Sequence, residues 1–117
     1  MPTILLVDEN RSMLRVLQLM FERAHYRVLL ATQGETAQML VRQEQPDVVL
    51  LDEAISDMNA WELCWRLKYD EQYPPAVILH TTGSDTSRVP GADAVLRKPS
   101  HPGVLLTTVE GCLRAKV

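Results

Sequence analysis

Short apolar runs alternate with longer stretches of helical period along this chain, and that alternation restricts its fold more than any other feature. TILLV (3–7) is brief, β-rich and stopped by the polar group Asp8-Glu9-Asn10. From Arg11 to Ala24, Met13, Val16, Leu17, Met20, Phe21 and Ala24 recur at helical spacing, which predicts an amphipathic helix with Asn10 as its N-cap. YRVLLA (26–31) reads as a second strand. Glu35 to Arg42 reads as a helix with Ala37, Leu40 and Val41 facing in and Gly34 or Thr32 at its start. VVLL (48–51) is a third strand, entered through Pro46. AVILHT (76–81), announced by Pro74-Pro75, is a fourth, and AVLR (94–97) a fifth. Ala60 to Lys68 and Leu105 to Leu113 complete the helices.

Five strands alternating with helices predict an α/β fold with a parallel sheet covered on both faces. Strands that are apolar throughout agree, because neither face of such a sheet is wet. With 117 residues and no internal linker, the chain reads as one domain, 1–117. Its last residues, Leu113 to Val117, fit either a complete protein or a segment of a longer one.

The fourth crossover is short. Only TGSDTSRVPGAD lies between Thr81 and Ala94. A helix over Ser84–Val89 covers about 9 Å at ~1.5 Å per residue, whereas a five-residue strand needs about 16 Å of return at ~3.3 Å per residue. This connection is expected to be a stub helix plus extended chain.

Composition narrows the function. A net charge of −3 argues against direct binding to nucleic acid or an anionic membrane surface, both of which need a basic patch. No apolar run reaches the roughly 20 residues of a membrane helix, and MPTILLVDEN lacks the features of a signal peptide. Cys64 and Cys112 form no metal-ligand spacing and read as buried reduced thiols, consistent with a cytoplasmic setting.

Polar residues end the strands in a repeated way. Asp8 and Glu9 follow the first, Asp52 and Glu53 the third; Thr81 ends the fourth, and Lys98 follows the fifth. These are all carboxyl ends, so the residues share one edge of the sheet, where open α/β sheets carry their ligand site. Two carboxylates about 4 Å apart repel by roughly 4 kcal/mol at an effective dielectric of 20. Lys98 offsets part of that. A hard divalent cation such as Mg²⁺, which takes carboxylates, waters and phosphate oxygens, offsets more. Acids, a hydroxyl and an amine around Mg²⁺ suit phosphoryl transfer, and one carboxylate can act as the nucleophile.

Four stretches, ILLVDEN (4–10), PDVVLLDEAISDMNAWEL (46–63), VILHTT (77–82) and GADAVLRKP (91–99), resemble the receiver domain of two-component response regulators, in that family's order and near its spacing. The resemblance covers essentially the whole chain. It implies a doubly wound, flavodoxin-like five-stranded sheet of order 2-1-3-4-5. It implies that Asp52 is the phosphoacceptor, taking a phosphoryl group from a phosphohistidine on a histidine kinase or histidine phosphotransfer protein. Asp8 and Glu9 match the family's acidic pair for Mg²⁺, with Asp52 and the backbone carbonyl of Glu53 as further ligands. Thr81 matches the hydroxyl residue that bonds the phosphoryl oxygen, and Lys98 the lysine that pairs with the phosphoryl group. The Lys98–Pro99 bond is cis in the family. A downstream protein partner or output domain is implied, and a homodimer is open. The chain would catalyse only its own phosphorylation and dephosphorylation, without conventional enzymatic turnover.

Several positions depart from the pattern. Ser56 and Ala60 stand where the family usually has Pro and Gly. Val95 stands at the aromatic switch position and cannot swing a ring between exposed and buried states. Val95 and the short crossover argue for the alternative of a phosphorylation-independent interaction or dimerisation module, and the intact acidic pair, Thr81 and Lys98 argue against it. A metal-dependent phosphohydrolase would need a second acid at position 54, which is alanine.

Other side chains carry weaker expectations. Glu53 is either a solvated loop acid or extra charge beside the site. Ala54 and Gly83 are small and leave water access to the phosphoryl group. Trp61 and Trp65 share a helix face, where Trp65 either packs on a neighbouring helix or anchors a partner, while Leu63 and Leu67 supply the core stripe. His80 should point away from Thr81 and serve packing or a hydrogen bond. His25 and His101 read as surface residues, and Met20, Met39 and Met58 as core or loop packing.

Overall fold

The computed structural model describes residues 1–83 and 88–115. Its elements run β1 (Thr3–Val7), α1 (Arg11–Arg23), β2 (Arg27–Ala31), α2 (Gly34–Glu44), β3 (Val48–Asp52), α3 (Ala60–Tyr69), β4 (Ala76–Thr81), β5 (Ala94–Arg97) and α4 (Pro102–Ala115). The strands form one parallel sheet in the order β2-β1-β3-β4-β5. This is the doubly wound α/β fold expected from the strand pattern.

The sheet separates two apolar layers. Leu5, Val7, Val49, Leu51, Val77 and Leu79 face α2 and α3. Ile4, Leu6, Val48, Leu50 and Ile78 face α1 and α4. Every residue of the central strands β3 and β4 is buried, which explains their unbroken apolar runs. β2 is an edge strand with Leu30 exposed.

Caps fix the helix starts. Asn10 accepts from Met13 N–H at 3.0 Å, as its position before α1 predicts. Asn59 accepts from Trp61 and Glu62 N–H to start α3. α4 begins three residues before the expected Leu105, because Pro102 suits a first helical turn and His101 Nδ1 accepts from Gly103 N–H. α2 starts at Gly34, and its N-cap Gln33 makes no side-chain bond.

The inward stripe of α1 differs from the expectation. Leu14, Leu17 and Phe21 are buried, whereas Met13 and Val16 are exposed. Those two line an open groove of about 510 Å³ that reaches His80, Lys98 and Pro99. Met39 is exposed too, so it is not core packing, while Met20 and Met58 pack against the two layers.

The expected stub helix over Ser84–Val89 falls largely on residues 84–87, outside the described residues; Arg88 and Val89 are not helical. Val89 is buried in the layer under α3, and Gly91 presses on the α3 backbone, where an added Cβ would lie 2.6 Å from the Cys64 carbonyl oxygen. Gly91 has φ +90°, open to glycine without steric cost. Among the described residues of the crossover, Val89, the Gly91 backbone and Ala92 lie against this layer.

Candidate functional site

The parallel register makes the strand ends level. Val7 pairs with Leu51, Asp52 with His80, and Thr81 with Arg97. Asp8, Asp52, Thr81 and Lys98 therefore come to one edge of the sheet, each from a different strand end. Asp8, Asp52 and Thr81 are buried, and Lys98 is half-buried.

Lys98 Nζ pairs with Asp52 Oδ1 across the end of β4. That buried oxygen meets no hydrogen-bond donor besides this ammonium among the described residues, and Asp52 Oδ2 accepts from Ala54 N–H at 3.0 Å. Asp8 Oδ1 accepts from Asn10 N–H at 2.9 Å. Burial pushes the Asp8 carboxyl above its ordinary range. The Asn10 N–H opposes this, Asp52 adds to it, and Lys98 opposes it.

Two buried carboxylates with one ammonium leave negative charge to be neutralised, and their oxygens suit a hard cation. Asp8, Asp52 and the Glu53 carbonyl could hold Mg²⁺ with waters. Among the described residues no three His, Cys, Asp or Glu side chains are grouped around a metal position. A Mg²⁺ that uses two carboxylates, a backbone carbonyl and waters does not require such a group.

The remaining acids do other things here. Glu9 is exposed, and its Oε1 accepts from Ser56 N–H in the β3–α3 loop. Glu53 is not a free solvated acid: its Oε2 accepts from the Thr81 hydroxyl, which itself accepts from Gly83 N–H at 2.8 Å. Asp57 accepts from Gly34 and Glu35 N–H at 2.9 and 3.0 Å, so the same loop supplies the cap that Gln33 lacks. Those donors hold its carboxyl below the usual range. Sequence reading missed this contact because it joins residues 23 apart, although an unpaired Asp beside an uncapped helix start was a usable signal.

His80 points into the opposite layer from Thr81, and its Nε2 lies 3.0 Å from Ser100 Oγ. Ser100 donates its one hydroxyl proton to the Arg97 carbonyl, so Nε2 is the donor in that pair. Burial, with help from Lys98, lowers the His80 pKa and keeps the ring neutral. The Lys98–Pro99 peptide is cis. Val95 is half-buried and packs on the layer that holds Val89. Ala60 begins α3 as a buried helical residue, and Ser56 is exposed.

Leu63 and Leu67 are buried, as expected. Trp61 and Trp65 are exposed, and Trp65 lies against Tyr69 one turn along its own helix, with ring centroids 4.3 Å apart. His25 and His101 are on the surface. Both cysteines are free. Cys64 is buried, with its thiol pushed up to about 12 by desolvation, but Cys112 is only half-buried. No helix among the described residues is long and apolar enough to cross a membrane.

The 2-1-3-4-5 sheet order is that of receiver domains, and comparison with known proteins agrees on the fold. The model of the response regulator receiver domain family matches residues 4–110. Protein PilH of Pseudomonas aeruginosa is 33% identical over 119 residues, covering 97% of this chain and 98% of PilH. Transcriptional regulatory protein AfsQ1 of Streptomyces coelicolor is 31% identical over 97% of this chain and 52% of its own length. A CheY-like response regulator receiver domain protein from Methanospirillum hungatei superposes with a TM-score of 0.89 over 98% of this chain and 95% of its own, at 24% identity. The chain belongs to the response regulator receiver domain family. It spans about half the length of AfsQ1 and of the other regulators it matches, and nearly all of PilH.

Proposed function

We propose that the chain, as a single receiver domain over residues 1–117, accepts a phosphoryl group on Asp52 from a phosphohistidine of a histidine kinase or phosphotransfer protein. The observation that supports this most directly is the placement of Asp52, held by a fully buried strand with Asp8 beside it and Lys98 on its Oδ1. A carboxylate oxygen of Asp52 attacks phosphorus, the P–N bond breaks, and its electron pair returns to the imidazole nitrogen. Asp8, Asp52 and the Glu53 carbonyl would hold Mg²⁺, with Glu9 directly or through water, and the bound ion would supply neutralisation of charge on the phosphoryl group. Lys98 then pairs with the phosphoryl group, and the Thr81 hydroxyl donates to one of its oxygens. The output passes to a protein partner, and Val95 requires it to use something other than a swinging aromatic ring.

The test is intact mass after incubation with Mg²⁺ and acetyl phosphate. Wild type gains one phosphoryl group and Asp52→Asn gains none. No gain on wild type from either acetyl phosphate or a cognate kinase, or the same gain on Asp52→Asn, overturns the reading.

A further inference from the structure

Thr81 has one hydroxyl proton, and that proton is directed to Glu53 Oε2 while Gly83 N–H occupies the oxygen from the other side. Sheet register brings the two residues side by side. Asp52 pairs with His80, and the next rung, Glu53 N–H to the His80 carbonyl at 2.9 Å, extends the β3–β4 ladder by one residue. Glu53 is thereby set alongside Thr81 on the neighbouring strand, within reach of a cross-strand side-chain pair. Among the described residues Glu53 makes no ion pair, and Thr81 is its side-chain partner. Thr81 is buried, so no bulk water replaces the carboxylate freely.

We infer that Glu53 is an internal competitor for Thr81: its carboxylate takes the hydroxyl that a phosphoryl oxygen on Asp52 would need, and phosphorylation releases Glu53 to solvent. The inference rests on the reading of Asp52 as phosphoacceptor. One hydroxyl proton cannot serve both acceptors, and a dianionic phosphoryl group beside a carboxylate adds like-charge repulsion. Phosphoryl uptake therefore includes displacement of an existing charge-assisted hydrogen bond. The carboxylate is charged in both states, but only in the phosphorylated state is it freed from Thr81 and turned to solvent on the β3–α3 loop. Position 53 thus sets the threshold for uptake and marks its outcome.

The test has a kinetic and a spectroscopic arm. With Mg²⁺ and phosphoramidate, Glu53→Met is expected to be phosphorylated about tenfold faster than wild type, the scale of one hydrogen bond to a charged group. Glu53→Gln, which keeps an acceptor but loses the charge, falls between them. In a Thr81→Val background the gain from Glu53→Met shrinks at least about threefold, the coupling expected of direct neighbours. A gain of equal size in both backgrounds means that Glu53 acts by charge alone and overturns the competition. Independently of any phosphorylation, proton NMR of the untreated protein should show a cross-peak between the Thr81 hydroxyl and the Glu53 γ protons. That cross-peak should vanish once Asp52 is phosphorylated. Its absence beforehand, or its survival on phosphorylated protein, overturns the inference. A cross-peak with no phosphoryl uptake by any variant instead overturns the proposed function, and the competition falls with it.

Discussion

Lys98 reaches across the end of β4 to pair with Asp52, although β4 separates their two strands. The ammonium pairs with Asp52 and also acts electrostatically on Asp8, and both acids are buried. Removing it leaves a buried carboxylate uncompensated. Metal-free Lys98→Met is expected to lose about 1–3 kcal/mol, the cost of leaving a buried polar group unsatisfied. Adding Asp52→Asn should recover most of the loss, because the stranded charge goes with it. Urea unfolding of the four proteins of that cycle, in chelator, measures both effects. Additive losses would show that the pair is not coupled.

Asp8 sets a pH dependence. Burial raises its folded pKa above the ordinary 3.8, so the folded state binds this proton more tightly than the unfolded chain does. The resulting stability is fully present below pH 3.8 and is lost as pH rises through the raised folded value. At neutral pH, metal-free Asp8→Asn should therefore be more stable than wild type, and the gap should close on acidification toward 3.8. Mg²⁺ should relieve the same penalty. At about a hundred times its dissociation constant it adds ~2.7 kcal/mol to wild type by mass action, and much less to Asp8→Asn. Thermal melts across pH, with and without Mg²⁺, check both. A gap that widens on acidification would reverse the sign assigned to Asp8.

The strands were legible because a parallel sheet with both faces buried demands unbroken apolar runs, and each run located the polar residue at its carboxyl end. That is why Asp8, Asp52, Thr81 and Lys98 could be gathered before any coordinates. α1 was legible as a helix but not in its rotation. Residues 13, 14, 16, 17, 19, 20 and 21 are all apolar, so two stripes fit one period, and packing selected Leu14, Leu17 and Phe21. Tertiary contacts beyond that gathering were not legible. Glu53 could be read as a charge near the site but not as a partner of Thr81, because that pairing depends on the β3–β4 register. Val89 was expected at the end of a stub helix and Gly91 in extended chain, and only the folded chain sets them against α3.

Asp57 should behave as a cap at a distance. It accepts the first two N–H groups of α2, and Gln33 offers no substitute. Asp57→Ala is expected to cost about 1 kcal/mol, the usual scale for losing an N-cap. Because its carboxyl is held below 3.8, its contribution is present above that pH and is lost as pH falls through the folded value. Asp57→Asn keeps an acceptor oxygen and should lose less, with a flatter acid limb. Amide exchange at Gly34 and Glu35 reads the local effect, and protection unchanged in Asp57→Ala would dismiss the cap.

Two glycines predict opposite outcomes for one substitution. Gly91 sits at φ +90°, and an added Cβ would lie 2.6 Å from the Cys64 carbonyl oxygen, a backbone atom that α3 cannot move cheaply. Gly91→Ala combines roughly 1–2 kcal/mol of left-handed strain with about 1–3 kcal/mol of overpacking. Gly111 lies inside α4, with only the end of the Arg114 side chain at 4.0 Å from its added Cβ. Gly111→Ala should therefore stabilise by about 0.5–1 kcal/mol through helix propensity alone. Chemical denaturation of the two variants beside wild type gives the comparison. If the crossover were loosely draped over α3, Gly91→Ala would be mild and the two glycines would differ little. A wide split in opposite directions is what a backbone pressed directly on the Cys64 turn requires.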